Sequence, residues 1–213
     1  MTRRDGALLL TGLLVVLALG AGLALGRGTQ DALPRITDAV DIGFARDMKV
    51  HHAQAVRMSA VVHRRSTDPE LNFLAIDILT TQQGQIGIMT GWLDLWGHTQ
   101  TSSRPAMVWM GHDGPMPGMA SSAELAALEQ LPVDELEEQY LRLMVRHHEG
   151  AIPMAAYAAD HATSPDVVRL ARAMEQGQVA EIASMQGLLA ARGLAPEAGG
   201  RQVPAVSGHS GHG

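Results

Sequence analysis

The stretch that decides the fold is Met144-Val145-Arg146-His147-His148-Glu149-Gly150-Ala151-Ile152-Pro153-Met154, because the chain carries a second version of it. The earlier version reads Met48-Lys49-Val50-His51-His52, followed by Ala55 and Met58. A shift of 96 residues superposes the two, and the match then continues without a gap. Thr67 falls on Thr163, Pro69 on Pro165, Leu74 on Leu170, Gln82 on Gln178, Met89 on Met185, Gly91 on Gly187 and Leu93 on Leu189. This is an internal duplication, and histidine and methionine are repeated most faithfully in it.

Local signals divide each copy into two helices. The first is expected from Thr37-Asp38 to about Arg65. Ser66-Thr67-Asp68-Pro69-Glu70 then supplies a cap, a first-turn proline and an acid, so a second helix restarts and runs to about Gly97. In the other copy a helix covers about Val133 to His161. Thr163-Ser164-Pro165-Asp166 opens the next, which stops near Arg192-Gly193. A lone hairpin cannot bury its apolar stripe, whereas two related by an approximate two-fold can. The expected fold is therefore all-α: an antiparallel four-helix bundle of two duplicated hairpins over residues 37–193. Repeat one takes 37–97 and repeat two takes 132–193.

Residues 98–120 join the hairpins and carry His98, Met107, Trp109, Met110, His112, Met116 and Met119. Pro105, Pro115 and Pro117 rule out a long helix there. This linker reads either as exposed low-complexity sequence or as a further metal contact. Ser121-Ser122-Ala123-Glu124 fits a capping box for a short helix within 121–131. Glycines at 84, 87, 91, 150, 177 and 187 are expected to permit close helix approach, and Pro153 to kink its helix or end the regular bonding. Residues 194–213 read as a disordered Gly/Pro-rich tail ending in His209 and His212.

Composition narrows the chemistry. With a net charge of -6 and no basic stripe, nucleic acid is not an expected partner. There is no cysteine, which excludes thiolate sites, disulfides and a catalytic thiol. Twelve methionines and ten histidines hold most of the soft coordinating capacity. Arg3 and Arg4 precede an uncharged run from Ala7 to Gly26, long enough at about 1.5 Å per residue to span a bilayer core of about 30 Å. Residues 1–26 therefore read as a membrane anchor or a signal peptide, followed by a polar linker over 27–36. Positive residues stay inside, so the body is expected outside the cytoplasm, membrane-anchored or secreted.

On a helical wheel, Met48, His51, His52, Ala55 and Met58 share one sector about 120° wide. Met144, His147, His148 and Met154 repeat that stripe. The neighbouring helices can bring up Met89 or Gln82 in one half, and Met185 or Gln178 in the other. The candidate metal ligands are therefore His51, His52, His147, His148, Met48, Met58, Met144, Met154, Met89 and Met185. Two adjacent imidazoles per helix carry a desolvation cost that a fold does not need twice. They serve either a metal or a structural hydrogen-bond network, and the methionines alone also fit as core filler. Surplus thioether favours Cu(I) or Ag(I), though imidazole also suits zinc and Cu(II). The chain has no Glu-x-x-His, so a di-iron centre lacks its ligands. No hydrolytic triad, phosphate loop or HExxH motif is present, and the expectation leans away from an enzyme. A redox enzyme at a bundle metal centre and a metal-free, partner-binding helical module stay open as alternatives.

The chain resembles the domain of unknown function 305 family. The resemblance rests on Phe44-x3-Met48-x2-His51-His52-x2-Ala55-x2-Met58, on Tyr140-x3-Met144-x2-His147-His148-Glu149-Gly150-Ala151-Ile152-x-Met154, and on Met116-Pro117-Gly118-Met119-Ala120. It covers about residues 37–193 in two copies. It implies a ferritin-like fold, a secreted or membrane-attached location, and copper handling through the matched histidines and methionines. The two halves differ beside their histidines, where Asp47 faces Leu143 and Ala53 faces Glu149 across the repeat.

Overall fold

The computed structural model describes residues 37–197. The expected anchor or signal segment, the linker after it and all but the first residues of the expected tail lie outside them. Among the described residues every long element is a helix and there is no strand. In chain order these are α1 (Ala39–Arg65), α2 (Pro69–Leu95), a 3-10 turn (Val108–Met110), α3 (Ser122–Leu128), α4 (Val133–His161) and α5 (Pro165–Ala191). None of these helices is long and apolar enough to cross a membrane.

The caps explain where the helices start. Asp38 accepts from the Val40 amide at 2.8 Å to open α1. Asp68 accepts from the amides of Glu70 and Leu71 to open α2, with Pro69 in its first turn. Ser121 and Glu124 form the reciprocal capping box of α3. Ser164 makes no side-chain cap at α5. Asp41 of α1 does the work instead, accepting from the Ser164 amide (2.9 Å), the Thr163 amide (3.0 Å) and the Thr163 hydroxyl (2.9 Å). In the other half, Ser66 Oγ donates to Glu137 of α4 at 2.7 Å. Asp41 and Glu137 are repeat partners, so each hairpin's turn is tied down by an acid from the other's first helix. That exchange makes α1 and α4 antiparallel, and the buried Ser59–Tyr140 hydroxyl pair (3.0 Å) lies on the same seam.

Each hairpin closes on itself, α1 on α2 and α4 on α5, and the two meet through α1 against α4. The outer helices α2 and α5 flank a groove of about 620 Å³. The apolar core falls into two clusters. One contains Phe44, Met48, Met89, Met107 and Met154. The other contains Met58, Ile78, Tyr140, Met144 and Met185. Two expectations need correcting. A Cβ on Gly84, Gly87, Gly91, Gly177 or Gly187 would meet nothing within 4 Å, so these glycines on the outer helices permit no close packing. Of the six glycines expected to do so, Gly150 alone does, since a Cβ there would lie 2.2 Å from the Pro117 carbonyl oxygen. Pro153 does not end α4, which continues to His161. The proline lies on the exposed face, where water can take up the carbonyl it leaves unpaired.

The linker is folded onto the inner helices. Asp47 accepts from the Met107 amide and from Trp109 Nε1, both at 2.8 Å, and holds Met107 at φ +68°. Met107 and Trp109 are buried, so this part of the linker is core and not exposed low-complexity sequence. Gln54 clamps Ala120 through both backbone groups, at 2.6 and 2.9 Å. The repeat partner of Gln54 is Gly150, so one half grips the linker with a side chain and the other makes room for it. Gly118, at φ +76°, lies against the Arg146 and His147 backbone, where a Cβ would come within 2.4 Å of Arg146 O.

Candidate metal centre

All four paired histidines are buried at the crossing of α1 and α4. The rings of His51 and His147 lie 3.9 Å apart centre to centre, and those of His147 and His148 lie 6.0 Å apart. Helical geometry produces this. His51 and His147 point at each other across the antiparallel seam, while His52 and His148, one residue on, turn toward α2 and α5.

Every Nε2 has an oxygen partner. His51 donates to Pro117 O at 2.9 Å, His147 to His51 O at 3.0 Å, His52 to Gln85 Oε1 at 2.7 Å and His148 to a Glu181 carboxylate oxygen at 2.5 Å. An oxygen acceptor fixes the proton on Nε2, so in the neutral ring Nδ1 carries a bare lone pair. All four Nδ1 atoms are buried with no hydrogen-bond partner. Unpartnered buried acceptors are rare, and four in one cluster call for a chemical reason.

Burial disfavours the charged form of His51, His52 and His147. It pushes His51 down to about 4 and His52 to about 3 from an ordinary value near 6.5, and neighbouring imidazoles add to the shift in both. His147 is lowered well below that value by burial and then by His51, His148 and His52. The sign for stability follows. Below pH 6.5 the unfolded chain binds protons that the folded protein refuses, so stability falls with pH until the folded values are reached. By pH 5 the expected loss is about 2 kcal/mol for each of His51 and His52, at about 1.4 kcal/mol per pH unit. Urea unfolding of metal-free protein at pH 7 and pH 5 measures it. Equal midpoints at the two values would contradict neutral burial.

The methionines take up a symmetric arrangement. Met48, Met89 and Met154 share one apolar cluster, and Met144, Met185 and Met58 share the other. The two trios are related by the 96-residue shift. Each draws on α1, α4 and one outer helix, and all six side chains are fully buried. The sequence stripe therefore divides, since Met48 and Met58 of one helix lie in different clusters. Helical spacing puts Gln85 on the same face as Gln82 and Met89, but sequence reasoning gave neither Gln85 nor Glu181 a part in the site. It looked for Gln82, Met89 and their partners, which are identical across the repeat, whereas Gln85 and Glu181 differ from each other. The signal available was their equal spacing, 33 residues after His52 and His148. Among the described residues, no three His, Asp or Glu side chains stand as a ready-made metal cage.

Fold and site together define a duplicated all-helical protein built around a buried histidine quartet. The chain belongs to the DUF305 family, whose model, Domain of unknown function (DUF305), matches residues 41–189. A DUF305 protein from Streptomyces coelicolor, described as a putative secreted protein, is 48% identical, with a TM-score of 0.73 over 76% of this chain and 98% of that one. A DUF305 fragment from Deinococcus radiodurans is 37% identical, with a TM-score of 0.64 over 74% of this chain and 99% of that one. CopM in its Cu(I)-bound form is 25% identical, with a TM-score of 0.56 over 71% of this chain and 96% of that one. No curated protein matches.

Proposed function

We propose that this protein binds Cu(I) outside the cytoplasm and sequesters it or passes it on, without catalytic turnover. The observation that carries the reading is the set of four buried Nδ1 lone pairs, each freed by an Nε2–H committed elsewhere. His51, His52, His147 and His148 would supply nitrogen. Met48, Met89 and Met154, with Met144, Met185 and Met58, would supply soft sulfur. A site drawn from these groups is completed by thioethers or by a ring turning, since carboxylates do not cage it. The Cu(I)-bound form of CopM supports the choice of metal. The description of the Streptomyces coelicolor relative as a putative secreted protein supports the location, as does the Arg3-Arg4 segment with its apolar run. On the same reading the hairpins form a ferritin-like four-helix bundle whose centre serves as the metal site.

A second reading has its own observation. The four Nε2 bonds tie α1 to the linker and to α4, and each inner helix to an outer one, as a purely structural network would. A competition titration of the full chain with Cu(I) separates the two. Under the copper reading, Met58→Leu/Met144→Leu/Met185→Leu weakens binding at least tenfold. Leu for Met conserves volume and costs under about 1.5 kcal/mol at each position, so metal-free stability is measured alongside binding. Under the structural reading, wild type binds Cu(I) no better than the variant.

A further inference from the structure

Between α2 and α5 lies a small cavity of about 80 Å³. Gln82 and Gln85 line it from one side, Gln178 and Glu181 from the other. Gln82 and Gln178 are only 3% and 5% exposed, and their Oε1 atoms have no hydrogen-bond partner. Gln85 and Glu181 are the acceptors for His52 and His148. The wall of the cavity therefore backs directly onto the two outer histidines. Glu181 also lines the larger α2–α5 groove, whose rim carries Glu70 and Asp77.

We propose that this small cavity is the vestibule through which a soft monovalent cation reaches the histidine centre, with Glu181 as the gate that balances its charge. The inference rests on the metal-binding reading above. Neutral imidazoles and thioethers bring no charge to the centre, and a buried cation without compensation is costly. Of the four Nε2 partners, two are backbone carbonyls, one is an amide and only Glu181 is a carboxylate. One negative charge matches Cu(I) or Ag(I) and leaves a divalent ion with an unbalanced positive charge. The orphan oxygens of Gln82 and Gln178 give an incoming ion, losing its water, polar contacts on the way in. Glu181 acts through His148, so it is a positioning and specificity residue.

Ag(I) binding to the full chain, followed for both rate and equilibrium against a chromogenic chelator, tests this. Glu181→Gln is expected to weaken Ag(I) by about 10–100-fold, the usual effect of losing the group behind a histidine ligand. Moving the charge to the other half, in Gln85→Glu/Glu181→Gln, is expected to restore most of the affinity, a result that a merely structural Glu181 would not give. Gly177 lines the cavity, and a Cβ there meets nothing within 4 Å. Gly177→Leu should therefore fold, fill the passage, and slow both association and release at least tenfold with little change in affinity. Unchanged rates in Gly177→Leu, or unchanged affinity in Glu181→Gln, would overturn the vestibule and gate while histidine-dependent binding persists. Wild type failing to bind Ag(I) in a histidine-dependent way would overturn the metal reading itself, and the inference with it.

Discussion

In the His51→Ala/His147→Ala variant, Cu(I) affinity is expected to fall by a thousandfold or more. The two rings face each other at 3.9 Å and offer two of the four free Nδ1 atoms. Four-ligand structural zinc sites gain on the order of 10–16 kcal/mol, so on that scale losing two ligands removes several kcal/mol, and each 1.4 kcal/mol is tenfold. The same variant loses the His51–Pro117 and His147–His51 hydrogen bonds and opens a cavity, so metal-free stability also drops. The two effects separate by comparison with Met58→Leu/Met144→Leu/Met185→Leu, which leaves those bonds in place. Loss of stability with unchanged Cu(I) affinity would assign the histidines to the core alone.

Gly150→Ala is expected to destabilise the protein by about 2–3 kcal/mol, although alanine is the better helix former. The new methyl would sit 2.2 Å from Pro117 O and 2.7 Å from Gly118 N, both backbone atoms that cannot rotate away. The linker must lift, and with it goes the carbonyl that holds His51. Gly84→Ala is the control. With nothing within 4 Å, it should gain up to about 1 kcal/mol from helix propensity and reduced unfolded-state freedom. Thermal melts of the two variants are expected to move in opposite directions. A Gly150→Ala melt matching wild type would mean that the linker is not anchored on α4.

The helices were legible because their signals are local. Asp38, Asp68-Pro69 and Ser121-x-x-Glu124 are caps that a few residues specify, and the repeat then supplies the second hairpin from the first. The inward stripe of Met48, His51, His52, Ala55 and Met58 also follows from helical periodicity, and all five side chains are fully buried. What the sequence hides is which groups meet across helices. Nothing local says that Gln85 and Glu181 accept from the outer histidine rings, or that Met48 and Met58 fall into different core clusters. The linker was misjudged for the same reason. Its prolines and glycines indicate a loop, but burial of Met107 and Trp109 depends on Asp47, sixty residues earlier. The glycines were over-read as packing sites, because a missing side chain looks the same in sequence whether it faces a neighbour or solvent.

Nitrogen-15 NMR of histidine-labelled protein, without metal and then with Ag(I), tests the histidine centre most directly. Without metal, His51, His52 and His147 should be neutral with the proton on Nε2, and adding Ag(I) should shift the Nδ1 resonances of the buried rings while the Nε2 protons remain. Rings protonated on Nδ1, or Nδ1 signals indifferent to Ag(I), would contradict a centre built from four free lone pairs.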